Sequence, residues 1–219
     1  MPWIVKLILV GGLLFLVTSC VGLIVDDYGS AARDDQGVRK DGQDIFISAN
    51  TPSISQGYRP NEVDDPFSNS PPGHHGIDII GEVGAPVIAC AAGIIFDAHY
   101  NAFYGHRIVI SHGQDEQSRT ILSKYFHLQK RLVKKGDAVQ RGQQIGHLGR
   151  TGLLAGYPHL HFEIQTGNPL MPFTLKSKNP HLYWADGVGI VTCYDKTRQW
   201  SDSPFKTSYP VPCRNVPWQ

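Results

Sequence analysis

In His159-Leu160-His161-Phe162-Glu163-Ile164 polar and apolar side chains alternate without a break. Successive side chains of an extended chain point to opposite faces. Leu160, Phe162 and Ile164 therefore form one apolar stripe, and His159, His161 and Glu163 form a polar one. Such a segment belongs in a sheet with one face on a core, and here the other face carries two imidazoles. No helical period persists anywhere after the N-terminal apolar run. The 23 glycines and 15 prolines among 219 residues cut the chain into short pieces. Residues 76–80, 87–92, 93–98, 107–113, 119–127 and 144–148 read as strands. Lys135-Gly136-Asp137 and Gln140-Arg141-Gly142-Gln143 read as turns. The pattern predicts an all-β fold, a small antiparallel sandwich or barrel, and the length suits one domain with extensions.

The formal net charge of +1 gives no electrostatic case for a nucleic-acid partner. The N-terminus reads as a targeting segment. Lys6 precedes an apolar run, residues 7–17, too short for a comfortable membrane span. The run ends in Val17-Thr18-Ser19-Cys20, which resembles a bacterial lipoprotein signal with Cys20 as the lipidated residue. The competing reading is an uncleaved signal anchor, because residues 21–25 prolong the apolar stretch. Both readings export the chain to the cell envelope and tie it to a membrane. The expected organisation is a signal over 1–19, a tether over 20–57, the main domain over 58–178 and a C-terminal extension over 179–219. Export permits disulfides, and Cys193 and Cys213 are the expected pair, restraining a Pro-rich tail. Cys90, in an apolar run, is expected to be a buried thiol.

If His74-His75-Gly76-Ile77-Asp78 is extended, His74, Gly76 and Asp78 share a face, and the missing side chain at Gly76 leaves space for an ion between the other two. Alone, this is an ordinary polar strand face. The pair His159 and His161 changes the balance, since two imidazoles aimed from one strand suit two metal ligands, or one ligand and one proton carrier. Two histidines and a carboxylate suit zinc, and three protein ligands leave one tetrahedral position for a water that zinc acidifies to a pKa of about 7. Hydrolysis at such a centre also needs a proton acceptor and a donor for the developing oxyanion. His127 and the spare member of the pair are candidates.

Taken in order, His74-x-x-x-Asp78, Tyr125-Phe126-His127-Leu128 and His159-Leu160-His161 resemble the signature of the lysostaphin/LytM-type zinc metallopeptidases of the bacterial cell wall. Gly84-Ala85-Pro86-Val87 with Ala91-Ala92-Gly93, the run from Tyr104 to Gly113, and Lys135-Gly136-Asp137-Ala138-Val139 with Gly142-Gln143 and Ile145-Gly146 resemble that family's intervening text. The resemblance spans residues 73–164, and the ordered set is far more specific than any one tripeptide. It implies a sandwich/barrel hybrid with a groove and one zinc per chain held by His74, Asp78 and His161. It implies catalytic roles for His159, as general base, and His127, steadying the oxyanion or protonating the leaving amine. The implied reaction is hydrolysis of peptide cross-links in peptidoglycan, by a chain expected to act as a monomer. Family members that lack ligands act as activators of other wall hydrolases, whereas all five positions are filled here. The rival expectations are a non-catalytic wall-binding or activator protein, and a peptidase for exported or glycine-rich peptides. Latent forms in the family make residues 26–72 a candidate blocking segment. Glu163 is expected to hydrogen-bond an imidazole, His75 to sit beside the site, and His112 to be structural. His99, His106, His147 and His181 are expected to be surface or hydrogen-bonded residues.

Overall fold

A computed structural model describes residues 34–38, 44–59 and 73–219. The signal segment, Cys20 and its lipidation lie outside the described residues. The strands are β1 (Asp34–Val38), β2 (Asp44–Ile47), β3 (Ile54–Gln56), β4 (Ile77–Ile80), β5 (Pro86–Ile88), β6 (Gly93–Asn101) and β7 (Gly105–Gln114). They continue as β8 (Thr120–Leu128), β9 (Lys130–Arg131), β10 (Ala138–Val139), β11 (Gln144–His147), β12 (His159–Gly167) and β13 (Lys176–Lys178). Among the described residues the large sheet runs β10-β6-β7-β8-β12-β4-β3, with β13 also paired to β12, and a smaller sheet runs β5-β11-β9. All of these pairings are antiparallel.

The apolar stripe of β12 does what alternation predicted. Leu160, Phe162 and Ile164 are buried with Ile77 and Ile79 of β4 and Tyr125 of β8, against Val87, Ile145 and Leu148 from the smaller sheet and the loop after it. The core is thus a filling between two antiparallel layers, in the all-β class expected. Cys193 and Cys213 are joined in a disulfide, and Cys90 is a fully buried free thiol.

Two expectations need correction. Residues 44–56 are not a loose lead-in. Ile45, Ile47 and Ile54 are buried in the core, β3 pairs with β4, and Phe46 exchanges backbone hydrogen bonds with Gly189 and Val191. These strands are three and four residues long and sit among polar residues, so they show no period of their own. Gly76 also has a different cause from the one its spacing suggested. A Cβ there would lie 2.2 Å from the Phe162 carbonyl oxygen, so glycine is needed because β12's backbone passes over it. The tail beyond residue 179 adds Trp184, Tyr209 and Val211 to the core.

Candidate metal centre

Antiparallel pairing of β4 with β12 sets His161 directly opposite Asp78. Facing residues on one side of such a pair have Cβ atoms about 5 Å apart, close enough for their side chains to share an ion. His161 Nδ1 lies 2.8 Å from Asp78 Oδ1. His74, three residues before β4, is held by paired backbone hydrogen bonds with Arg59, which bring its Nε2 to 3.2 Å from Asp78 Oδ1 and 3.1 Å from His161 Nδ1.

The outer atoms of both rings decide what the inner atoms present. His74 Nδ1 is 2.7 Å from the Gly57 carbonyl, which can only accept, so Nδ1 carries the hydrogen and Nε2 offers a lone pair. His161 Nε2 is 3.1 Å from Glu163 Oε1, and Gln165 donates to the other Glu163 oxygen at 2.8 Å. His161 therefore keeps a hydrogen on Nε2, and its Nδ1 offers a lone pair inward once the proton it shares with Asp78 is displaced. Three electron-pair donors converge with edges of 2.8–3.2 Å. A tetrahedral ion with bonds of about 2.0–2.1 Å has ligand–ligand edges of about 3.3 Å, so a zinc-sized cation fits with a few tenths of an ångström of expansion. Burial opposes a charge on either partner of the Asp78–His161 pair, but their bonds to each other and to His74 and Glu163 outweigh it. Asp78 is held far below the usual carboxylate range and His161 is raised to about 9. A divalent cation at this point competes with the proton that bridges the pair.

His159 and His127 stand beside these three side chains with their own ring centroids 4.8 Å apart. His159 donates Nδ1–H to its neighbour Tyr157's carbonyl at 2.8 Å, and its Nε2 faces Asp78 Oδ2 at 3.7 Å. His127 donates Nδ1–H to the Thr151 carbonyl at 2.9 Å. Burial is the main reason both rings are less basic than usual, His127 falling to about 4. Each is thus a neutral imidazole with an unprotonated Nε2.

Strict alternation along β8 would have sent His127 into the core with Tyr125. Instead the three residues of β7 from His106 to Ile108 are matched by four of β8, from Tyr125 to Leu128. His127 has φ 62°, the left-handed region that a branched-Cβ-free but bulky residue adopts at a cost of order 1 kcal/mol. The extra residue lets Tyr125 and Leu128 both face the core, Phe126 stack on His161 at 5.6 Å, and His127 join the site.

All five residues singled out from sequence are brought together, lining one cleft with Gln56, Tyr104, Leu154, Gly156 and Tyr157. None of that lining comes from the tail. Sequence reading missed Tyr157, whose hydroxyl lies 2.8 Å from Ser55 Oγ and 3.4 Å from Asp78 Oδ2. Its place just before Pro158 and the alternating strand was the available signal. Ser55, Gln56 and Gly57 were passed over with the supposed tether. His112 bridges the Ala92 carbonyl and Ser123 Oγ, at 2.7 Å each, as a structural residue. His147 and His181 are hydrogen-bonded, to Gly84 and Trp184.

Residues 72–172 match the model of peptidase family M23. The chain is 40% identical over 110 residues to peptidoglycan DD-endopeptidase ShyC of Vibrio cholerae, covering 50% of this chain and 24% of that protein. It is 36% identical over 123 residues to murein hydrolase activator NlpD of Escherichia coli, covering 56% of this chain and 29% of that protein. The chain thus spans about a quarter of the length of these relatives. The catalytic domain of the antimicrobial peptidase lysostaphin from Staphylococcus simulans superposes with a TM-score of 0.46 at 30% identity, covering 59% of this chain and 89% of that one.

Proposed function

We propose, from the premise that this chain belongs to peptidase family M23, that it is a zinc-dependent endopeptidase of the cell envelope that hydrolyses peptide cross-links of peptidoglycan. The observation that carries this reading is the convergence of three lone pairs, from His74 Nε2, Asp78 Oδ1 and His161 Nδ1, beside two neutral imidazoles. Zinc held there would supply a Lewis acid for the scissile carbonyl and lower the pKa of a water to about 7. His159 accepts the proton of the attacking water at Nε2, which stays available because the Tyr157 carbonyl keeps the hydrogen on Nδ1. His127 presents a lone pair at neutral pH, so it acts as a donor to the oxyanion or the leaving amine only after taking up a proton. Its bond to the Thr151 carbonyl steadies that imidazolium.

A second reading has its own support, because one of the similar proteins is named as a murein hydrolase activator. Incubating the purified chain with peptidoglycan, with and without a chelator, separates the two. Chelator-sensitive release of free amines, with new muropeptides in the mass spectrum, is expected. A folded protein that binds no zinc, or that releases amines only when another hydrolase is added, overturns the enzyme reading.

A further inference from the structure

The turn between β12 and β13 projects three apolar side chains into solvent. Leu170 is 84% exposed, Met171 50% and Phe173 81%. Scattered exposed apolar residues are ordinary, but three within four positions on one turn form a local cluster.

The backbone of this turn is closed on itself. Asn168 N–H donates to Thr174 Oγ1, Leu170 N–H to Asn168 Oδ1 and Met171 N–H to the Asn168 carbonyl. Thr174 N–H donates to the Met171 carbonyl and Leu175 N–H to the Pro172 carbonyl. Pro169 and Pro172 have no N–H to satisfy. Five of the six peptide donors from Asn168 to Leu175 are therefore bonded inside the loop. Unsatisfied backbone N–H and C=O groups both resist moving a loop from water into hydrocarbon, and this loop has already satisfied most of its N–H groups.

Charge and shape agree with that. Lys176 and Lys178 follow the tip on β13, and no acidic residue occurs from 164 to 185. The adjoining β7–β8 turn, whose end pairs with Gly167, adds Glu116 and Arg119, with Arg119 tied to Asp115. The neighbourhood thus holds three cations against two carboxylates. A stable protein interface covers about 800 Å² on each partner, which a narrow turn bearing three apolar side chains does not offer. A short apolar tip with lysines behind it suits the boundary of a lipid bilayer, where headgroups meet acyl chains.

We propose that Leu170, Met171 and Phe173 form a membrane-docking tip that inserts into the surface of an anionic bilayer. β12 joins this tip to the metal centre. The six strand rises from His161 to Gly167 span about 20 Å, so a docked tip holds the cleft roughly that far from the headgroups, facing material that lies off the membrane. This contact is separate from any lipid on the N-terminus and does not depend on the proposed chemistry.

The test uses the full chain with vesicles of equimolar phosphatidylcholine and phosphatidylglycerol. Phe173→Trp gives a reporter local to the tip, read as the difference from the unsubstituted chain. Expected is a shift of its emission to shorter wavelength on adding vesicles, with quenching by lipids brominated on the acyl chain. Adding Leu170→Asn should raise the half-saturating lipid concentration about tenfold or more, as losing one buried leucine implies. Lys176→Gln with Lys178→Gln should raise it several-fold. The circular dichroism spectrum should stay unchanged in every variant. Emission from position 173 that ignores vesicles while the chain sediments with them overturns the proposal. So does a shift without lipid that grows with protein concentration, which would mark the tip as a contact between copies.

Discussion

Asp78 and His161 face each other across the β4–β12 pairing with 2.8 Å between Oδ1 and Nδ1, while Glu163, two residues along, holds the far side of the same imidazole at 3.1 Å. One strand thus supplies both a proposed ligand and the group that orients it. Asp78→Asn removes the anionic donor and should abolish stoichiometric zinc. Glu163→Gln keeps the shape but weakens the acceptor, and should lower zinc affinity about 10–100-fold. Competition against a chelating dye measures both, and unchanged affinity in Glu163→Gln would show that the carboxylate does not tune the ligand.

His127 gives a test of the bulge. Both His127→Gly and His127→Ala lose the imidazole and its bond to Thr151, so the cavity and hydrogen-bond costs are shared. The two differ in how they tolerate φ 62°. The glycine variant should be more stable than the alanine variant by about 1 kcal/mol, against the usual order of the two residues within a strand. Urea denaturation checks this. Both variants should bind zinc and lack turnover.

Away from the cleft, His112 predicts an acid limb. Burial, with Arg141 nearby, lowers it from 6.5 to about 4. Between those values the unfolded chain takes up a proton that the folded chain refuses. Stability from this group is therefore whole above about pH 6.5 and declines as pH falls towards 4, by up to about 3 kcal/mol. His112→Gln does not titrate, and its stability should fall less over that window. Parallel curves for the two proteins would remove His112 as the cause.

The disulfide closes a separation of 20 residues. Loop-closure entropy puts its contribution at about 3 kcal/mol. Cys193→Ala with Cys213→Ala should lower the denaturation midpoint accordingly. Since the tail lines no part of the cleft, zinc stoichiometry of the folded variant should not change. Loss of zinc from a variant that remains folded would show that the tail supports the site.

Most of the fold was legible because alternation is local. The run around Phe162 carries a period of two that can be read residue by residue, the runs around Ile108, Tyr125 and Ile145 are apolar stretches between turn signals, and each became a strand. The segment containing Ile45, Ile47 and Ile54 was not legible. Its strands are short and polar at their edges, and they form because Ile79, Gly189 and Val191 offer them partners from distant parts of the chain. Tyr157 was missed for a related reason, since a loop has no period to expose a functional side chain.

By itself the sequence determined the chemical inventory and the face on which most of it lies. His159 and His161 had to share a side of their strand, Leu160 and Phe162 had to take the other, and the ordered motifs named His74, Asp78 and His127 as their companions. Only the tertiary structure decided that His161 meets Asp78 in register, that the Gly57 carbonyl and Glu163 hold the outer nitrogens of His74 and His161, and that a bulge brings His127 out of the core. Side-chain alternation follows from backbone geometry within one strand. Register, bulges and the partners of a ring nitrogen are set where separate strands pack together, and no local pattern encodes them.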